Sequence, residues 1–434
     1  MIRMRVFLLG FAFAGAFVTR CAAQNAPAAP QSLTLQQAEQ TALQNHPQLQ
    51  AAQSLEVVAK AQAQETRSAY YPYASASLTG AMAESGSRIA AGGLNNPIIY
   101  DRYANGVTVG QLVTDFGRTH ELVKSSDLHV QAQQSDTIAT RADVLLRVDR
   151  AYFGALKAQT LLNVAQETVA ERQLVADQVT TMAQNQLRSD LDVSFANVDL
   201  AQAQLLLVQV QNDLETSFAE LSYALGYNDQ RRFQLAEEPM PTEAPGDLAP
   251  MIAQALANRP DLAGRRLDAQ SAQSYATAER DLWFPTLSSV GAAGLVPFRQ
   301  DTLTSRYAAA GFNLNVPIFN GHLFGALRSE ASARAEAQEQ ELRDLEDLVV
   351  RDVRTAWLNA KTDYQRLSVT DQLLAQANQA LDLAQSRYQL GLGSIVELSQ
   401  AQLNATQARI AETSARYDYR IQQSELNFEL GNLR

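Results

Sequence analysis

The chain is one unit written twice. Asn45-His46-Pro47-Gln48-Leu49 recurs as Asn258-Arg259-Pro260-Asp261-Leu262, 213 positions on, and Tyr70-Tyr71-Pro72 matches Trp283-Phe284-Pro285 at the same offset. Further along the offset settles at 205. Val148, Ala151 and Tyr152 pair with Val353, Ala356 and Trp357, Leu187 and Ser189 with Leu392 and Ser394, and Leu221, Leu225 and Gly226 with Leu426, Leu430 and Gly431. The change of offset falls between Pro72 and Asp115, where Gly86, Gly92-Gly93 and Asn95-Asn96-Pro97 mark a longer loop in the first copy. A chain of 434 residues would ordinarily divide into two or three globular domains. The repeat replaces that expectation with two equivalent halves, 24–226 and 251–434, joined by a linker at 227–250 that holds Pro239, Pro241, Pro245 and Pro250.

Punctuation gives the plan of each half. All 13 prolines lie outside 118–226 and 322–431, and glycine is almost absent from the interiors of those stretches. Both are rich in Ala, Gln, Leu, Arg and Glu, good helix formers. Apolar residues return every three or four positions, as in Leu200, Ala203, Leu207, Val210 and Leu214. Each stretch breaks once, at 186–191 and 391–396. The spacing therefore predicts helices over 118–186 and 191–226 in the first repeat and over 322–390 and 396–431 in the second. Shorter helical stretches are expected at 35–71 and 251–284. At 1.5 Å per residue the long helix would reach roughly 100 Å, about the length of two shorter ones end to end. A helix pair of that length without a globular core needs partners along its whole course.

Between the short and long helices lie segments of another character, about 73–83 and 104–113, then 286–296 and 307–316. They alternate weakly between small polar and apolar residues, with Ala74, Ala76 and Leu78 on one face and Ala308, Ala310, Phe312, Leu314 and Val316 on another. Each has the length of a tilted membrane-spanning strand. Four strands cannot close a barrel, and open edges are not tolerated in lipid. Three chains would supply twelve strands, so closure implies a homotrimer about an axis along the pore.

The first 23 residues read as a secretory signal: Arg3 and Arg5, an apolar run from Val6 to Val18, and a small-residue cleavage site at Cys21-Ala22-Ala23. Cys21 as a lipid anchor fits poorly, since Arg20 precedes it. Removing that segment takes away three arginines, which moves the formal charge from −11 to −14 and leaves no cysteine. An acidic chain of this kind speaks against nucleic acid as a partner, and the lack of cysteine excludes disulfides and thiolate metal sites. No later segment has about 18 consecutive apolar residues, so no transmembrane helix is expected.

Ala255-Leu256-Ala257-Asn258-Arg259-Pro260-Asp261-Leu262 resembles a signature of the TolC-like outer membrane efflux proteins. So do Gln111-Leu112-Val113-Thr114-Asp115-Phe116-Gly117-Arg118, Val316-Pro317-Ile318-Phe319-Asn320-Gly321, and the run from Arg387 to Leu398, Arg-Tyr-Gln-Leu-Gly-Leu-Gly-Ser-Ile-Val-Glu-Leu. The likeness covers the whole mature chain. It implies a mainly α protein with membrane β structure: a trimeric 12-stranded barrel in the cell outer membrane on a 12-helix tunnel extending through the periplasm. It also implies partners, namely a periplasmic adaptor (membrane fusion) protein and an inner-membrane pump of RND, ABC or MFS type. The role so implied is the passive exit duct of a tripartite efflux or type I secretion system. The sequence departs from the family at the turns, with Gln186 where glycine is usual, Gly393 where some relatives carry arginine, and Gln400 where some carry an acid.

Three groups of residues stand out. Asp192 and Glu397 are repeat-equivalent acids one turn beyond the breaks. In a trimer they would set six carboxylates around a narrow end, where crowded like charges attract cations. Ser189 and Ser394 stand three residues earlier, so each acid could instead complete a capping box. Leu187-Arg188-Ser189 and Leu392-Gly393-Ser394 are the turns themselves, and the resemblance implies adaptor docking there; ordinary turn chemistry is the alternative. Tyr70, Tyr71, Trp283 and Phe284 precede a proline at the strand entrances, as interfacial aromatics do, or pack at a helix end.

Catalytic motifs are missing. His120-Glu121 lacks a second histidine four residues after His120, and His46, His129 and His322 form no ligand cluster. There is no G-x-S-x-G and no phosphate-cradling glycine loop, so neither an enzyme nor a cofactor is expected. A secreted structural coiled coil of filament type is the rival class. The signal segment, the repeat and the strand-length segments argue against it.

Overall fold

The computed structural model describes residues 32–82, 88–91, 94–98, 102–240, 244–298 and 304–433, so the expected signal at 1–23, with Cys21, lies outside the described residues. The first repeat begins with a two-residue strand β1 (Ser32–Leu33), then α1 (Leu35–Asn45) and α2 (Pro47–Arg67). Strand β2 (Tyr73–Ala81), a small hairpin β3 (Arg88–Ala91) and β4 (Leu94–Ile98), and β5 (Arg102–Thr114) follow. The long α3 (Arg118–Gln184) then turns back into α4 (Asp190–Ala224). After β6 (Gln234–Leu235) the second repeat gives α5 (Leu248–Asn258), α6 (Pro260–Arg280), β7 (Thr286–Phe298), β8 (Arg306–Asn315), α7 (Leu323–Gln389) and α8 (Ile395–Glu429).

Two expected helices are each broken. In place of one helix over 35–71, α1 and α2 meet at His46, and 68–70 form a separate 3-10 turn. In place of one over 251–284, α5 and α6 meet at Arg259, and 281–283 form the 3-10 turn. The cause is Pro47 and Pro260, which cannot donate to the preceding turn and push the residue before them into extended backbone. His46 ends one helix and caps the next, its Nδ1 accepting from the Gln48 amide at 3.3 Å.

The α3 and α7 helices, each 67 residues, are the spine of each repeat and reach about 100 Å. One end of α3 packs on α2 and α6, and the other on α4 and α8. Small residues let the helices approach closely: Ala331, Ala335, Ala356, Ala360, Ala377 and Ala384 are among the buried positions along α7. Between the two ends sits the largest core, where Val144, Val148, Tyr152, Phe153 and Leu156 of α3 meet Ala38, Ala42, Phe218, Leu221 and Tyr417. The Tyr152 hydroxyl lies 2.9 Å from Leu33 O and 2.7 Å from Ala236 O, pinning the parallel β1–β6 pair to that core. Helix α4 has a stretch long and apolar enough to suit a membrane span by length and composition, although little of it is buried. That apolar surface belongs to a helix paired along its length with α3.

Strands β2, β5, β7 and β8 form one antiparallel sheet in that order. The register places Leu78, Val107, Val109, Leu295, Phe312 and Leu314 on the same face, and all six are more than 40% exposed because no second layer among the described residues covers them. On the other face small residues predominate. Tyr307 lies across Gly106 and Gly294, and Tyr73 across Gly110, so closely that any side chain at those glycines would collide with the ring.

Candidate functional site

The far end of the helices is built from two turns that solve one problem with different residues. Reversing α3 into α4 requires a left-handed residue just past the helix end. Gln186 takes it at φ 61° where the second repeat has Gly391 at φ 73°. Both ends close with the same pair of bonds: Leu187 N to Met182 O (2.9 Å) with Gln186 N to Ala183 O (2.9 Å), and Leu392 N to Arg387 O (2.8 Å) with Gly391 N to Tyr388 O (3.1 Å). This is the six-to-one and five-to-two pattern of a Schellman ending. Leu187 and Leu392 at the two summits are 72% and 67% exposed.

Beneath the summits the two turns pack together. Ala176 and Val179 of α3, Ala196 of α4, Tyr388 of α7, and Ile395 and Leu398 of α8 form a small core. Across it the Arg188 guanidinium lies 4.3 Å over the Tyr388 ring and donates to the Tyr388 carbonyl. Tyr388 is nearly fully buried, and its hydroxyl has no hydrogen-bond partner among the described residues. Burial pushes the phenol pKa upward, Arg188 pulls against that, and the Asp192 charge adds to the rise.

The paired acids behave differently. Asp192 completes a capping box: its amide donates to Ser189 Oγ (3.2 Å) and its carboxylate accepts from the Ser189 amide (3.3 Å). The Glu397 amide likewise donates to Ser394 Oγ (3.2 Å), but its carboxylate turns to Arg387 Nε at 3.0 Å. Asp192 is therefore engaged in its own helix start, and Glu397 is half of an exposed ion pair. Gly393 leaves the second turn without a basic side chain at the position equivalent to Arg188, so the single turn arginine reaches across from the first repeat. Pairing Arg188 with Tyr388 was not legible in the sequence, since the two are 200 positions apart. The repeat offset alone puts both beside the tips.

At the opposite end, the four aromatics lie where short helices enter the sheet. Tyr70, Tyr71, Trp283 and Phe284 are 45–67% exposed. Trp283 meets the ring of Phe324 edge-on at 5.7 Å, and Phe284 lies 6.3 Å from Phe116. Phe116, Ile318 and Phe319 extend this apolar girdle, the last two 90% and 79% exposed. Composition did not single them out, although they sit in the strand-to-helix motifs.

Known proteins share this architecture. Residues 38–227 and 251–432 match the outer membrane efflux protein family, one match to each repeat. The chain belongs to that family and is a protein of the outer membrane. It is 24% identical over 302 residues to outer membrane protein TolC of Salmonella enteritidis, an alignment spanning 67% of this chain but only 61% of the relative. A Pseudomonas aeruginosa membrane protein superposes with a TM-score of 0.81 at 22% identity, over 92% of this chain and 90% of the other. VceC of Vibrio cholerae does so at 0.79 and 19% identity, over 92% and 96%. These likenesses establish a shared fold.

Proposed function

We propose that three copies surround a common axis, closing their sheets into a twelve-stranded barrel in the outer membrane and their helices into a twelve-helix tunnel across the periplasm. The duct is the passive exit of a tripartite efflux or type I secretion system, fed by an inner-membrane pump through a periplasmic adaptor. What supports this is the sheet: four strands with unpaired outer edges on β2 and β8 among the described residues, and an apolar face with nothing packed on it. In water such a sheet would expose both edges and grease. In lipid, only a closed ring satisfies the backbone. The outward apolar face then meets lipid, and the Tyr and Gly face lines the pore.

In this reading the tip is the gate and the adaptor contact. Leu187, Arg188 and Ser189, with Leu392, Gly393 and Ser394, present the docking surface, and Asp192 and Glu397 lie at the constriction. Tyr70, Tyr71, Trp283 and Phe284 sit at the membrane boundary on the helical side. Adaptor binding favours the open arrangement of the turns over the closed one, and cargo is chosen upstream by pump and adaptor.

The test is reconstitution. Detergent-purified protein should have the mass of three chains and give discrete conductance steps in planar bilayers. A stable monomer without conductance would refute the reading; long polymers without conductance would instead support a secreted filament.

A further inference from the structure

The repeat also determines how one subunit's sheet meets the next, an inference that rests on the trimeric reading above. Inside the chain the seam between repeats is β5 against β7. From Asn105↔Leu295 to Leu112↔Ser288 the partner numbers total 400. Strand β7 is the counterpart of β2 at the offset of 213, and β8 that of β5 at the offset of 205. The sheet agrees with the sum of the two offsets: β2–β5 pairs total 183 and β7–β8 pairs total 601, and the difference of 418 is what the offsets make together. The counterpart of β5–β7 is thus β8 against β2. Within one chain those strands lie at opposite edges of the sheet.

The helices carry the same asymmetry. Helix α3 packs along its length on both repeats, whereas its counterpart α7 packs chiefly on α5, α6 and α8 of its own and meets the first repeat at the tip through Tyr388. On α4, Leu205 and Val208 are 70% and 63% exposed, while their α8 counterparts Ile410 and Thr413 are half-buried and buried. On α7, Val369 and Leu373 are likewise uncovered where Val164 and Thr168 of α3 are covered. Apolar side chains left bare at positions whose counterparts are covered call for a cover of the same shape, and another copy of this chain presents one.

We infer that β2 pairs antiparallel with β8 of a second copy of this chain, in the register where the two residue numbers total 392. Moving the β7 member of each internal pair back by 213 and the β5 member on by 205 turns 400 into that total. Ser77 then lies opposite Asn315 of the partner subunit, Leu78 opposite Leu314 of the partner subunit, and Thr79 opposite Asn313 of the partner subunit. Side-chain alternation supports the same result independently. An even total sets the apolar face of β2 level with the apolar face of β8 and the Ser/Thr face level with the Asn face, whereas an odd total would oppose them.

The register is tested by disulfide formation in the full chain carrying Cys21→Ser. Directly opposed Cα atoms are about 4.5–5.5 Å apart, within reach of a disulfide, whereas diagonal pairs at about 7–8 Å are outside it. Ser77→Cys with Asn315→Cys, and separately Thr79→Cys with Asn313→Cys, should on oxidation give covalent species ending at three chains. The slipped combination Ser77→Cys with Asn313→Cys should give at least tenfold less. Intact trimers that cross-link through the slipped pair, or through neither matched pair, overturn the register and leave the trimer standing. A single-chain mass for the unsubstituted protein would bring down the trimeric reading itself.

Discussion

The Arg188 guanidinium of the first turn sits over the ring of Tyr388, 4.3 Å from its centroid, and ties the tips of the two repeats together. A cation over an aromatic face is worth about 0.5–2 kcal/mol depending on how dry the site is, and the bond to the Tyr388 carbonyl adds to it. Arg188→Ala should therefore loosen the tip and raise resting single-channel conductance. Tyr388→Phe keeps the ring under the guanidinium and removes a hydroxyl that is buried without a partner, so it should leave both conductance and thermal stability within about 0.5 kcal/mol of the parent. Equal damage from the two substitutions would count against the stacking account.

Asp192 and Glu397 should separate when changed singly. Asp192→Ala removes a reciprocal cap and should cost about 1 kcal/mol of stability. Glu397→Ala keeps the Ser394 cap and frees Arg387, so its stability cost should be smaller, since exposed ion pairs are worth about 0–1 kcal/mol. If both carboxylates line the constriction, the double substitution should lower cation preference, read as a shift in reversal potential under a salt gradient. Lowered stability with unchanged selectivity would leave capping as the acids' only role.

Much of the fold was legible because its signals are long-range regularities. Proline-free stretches rich in Ala and Gln bounded α3, α4, α7 and α8 within a few residues, and the offsets of 213 and 205 tied the halves together. The breaks at His46 and Arg259 were legible in principle, each standing before a proline, but helical periodicity on both sides outweighed that signal. The site was legible only as positions. Which of Asp192 and Glu397 caps its own helix and which pairs with Arg387 depends on side-chain choices that the repeat leaves equal. The stacking of Arg188 on Tyr388 depends on packing between repeats, to which local sequence is blind.

His46 should make the helical junction acid-sensitive. It is buried, its Nδ1 must be free of a proton to cap α2, and its Nε2 faces Arg147 Nη1 at 3.5 Å. Burial chiefly, and then the Arg147 charge, hold its pKa below the ordinary 6.5. The unfolded chain therefore takes up a proton near pH 6.5 that the folded chain refuses. Stability from this group is intact above that pH and declines as pH falls toward the lowered folded value. His46→Asn preserves a capping oxygen without the titration, so its melting temperature should fall less than the parent's between pH 7 and 5. Parallel melting curves for the two proteins would show that His46 does not titrate in this way.

Asp149 should act in the opposite sense. It is buried in the central core beside Glu39 and Ser424, with Arg420 as a nearby positive charge, and its Oδ1 lacks a partner among the described residues. Desolvation above all pushes its pKa up to about 7, Ser424 and Arg420 pulling against this while Glu39 adds to it. The folded protein thus keeps a proton here that the unfolded chain releases near 3.8. Its contribution is fully present below that pH and is lost as pH climbs through about 7. The protonated carboxyl can donate to Glu39, and Asp149→Asn supplies a permanent donor of the same shape. The variant should match the parent near pH 4 and be more stable above pH 7, by a few kcal/mol at about 1.4 kcal/mol for each tenfold change in proton affinity between the folded and unfolded chain. A gain that is constant across that range would mean that asparagine packs better there for reasons unconnected with the proton. A loss at pH 8 would mean that the ionised carboxylate is held by Arg420 after all.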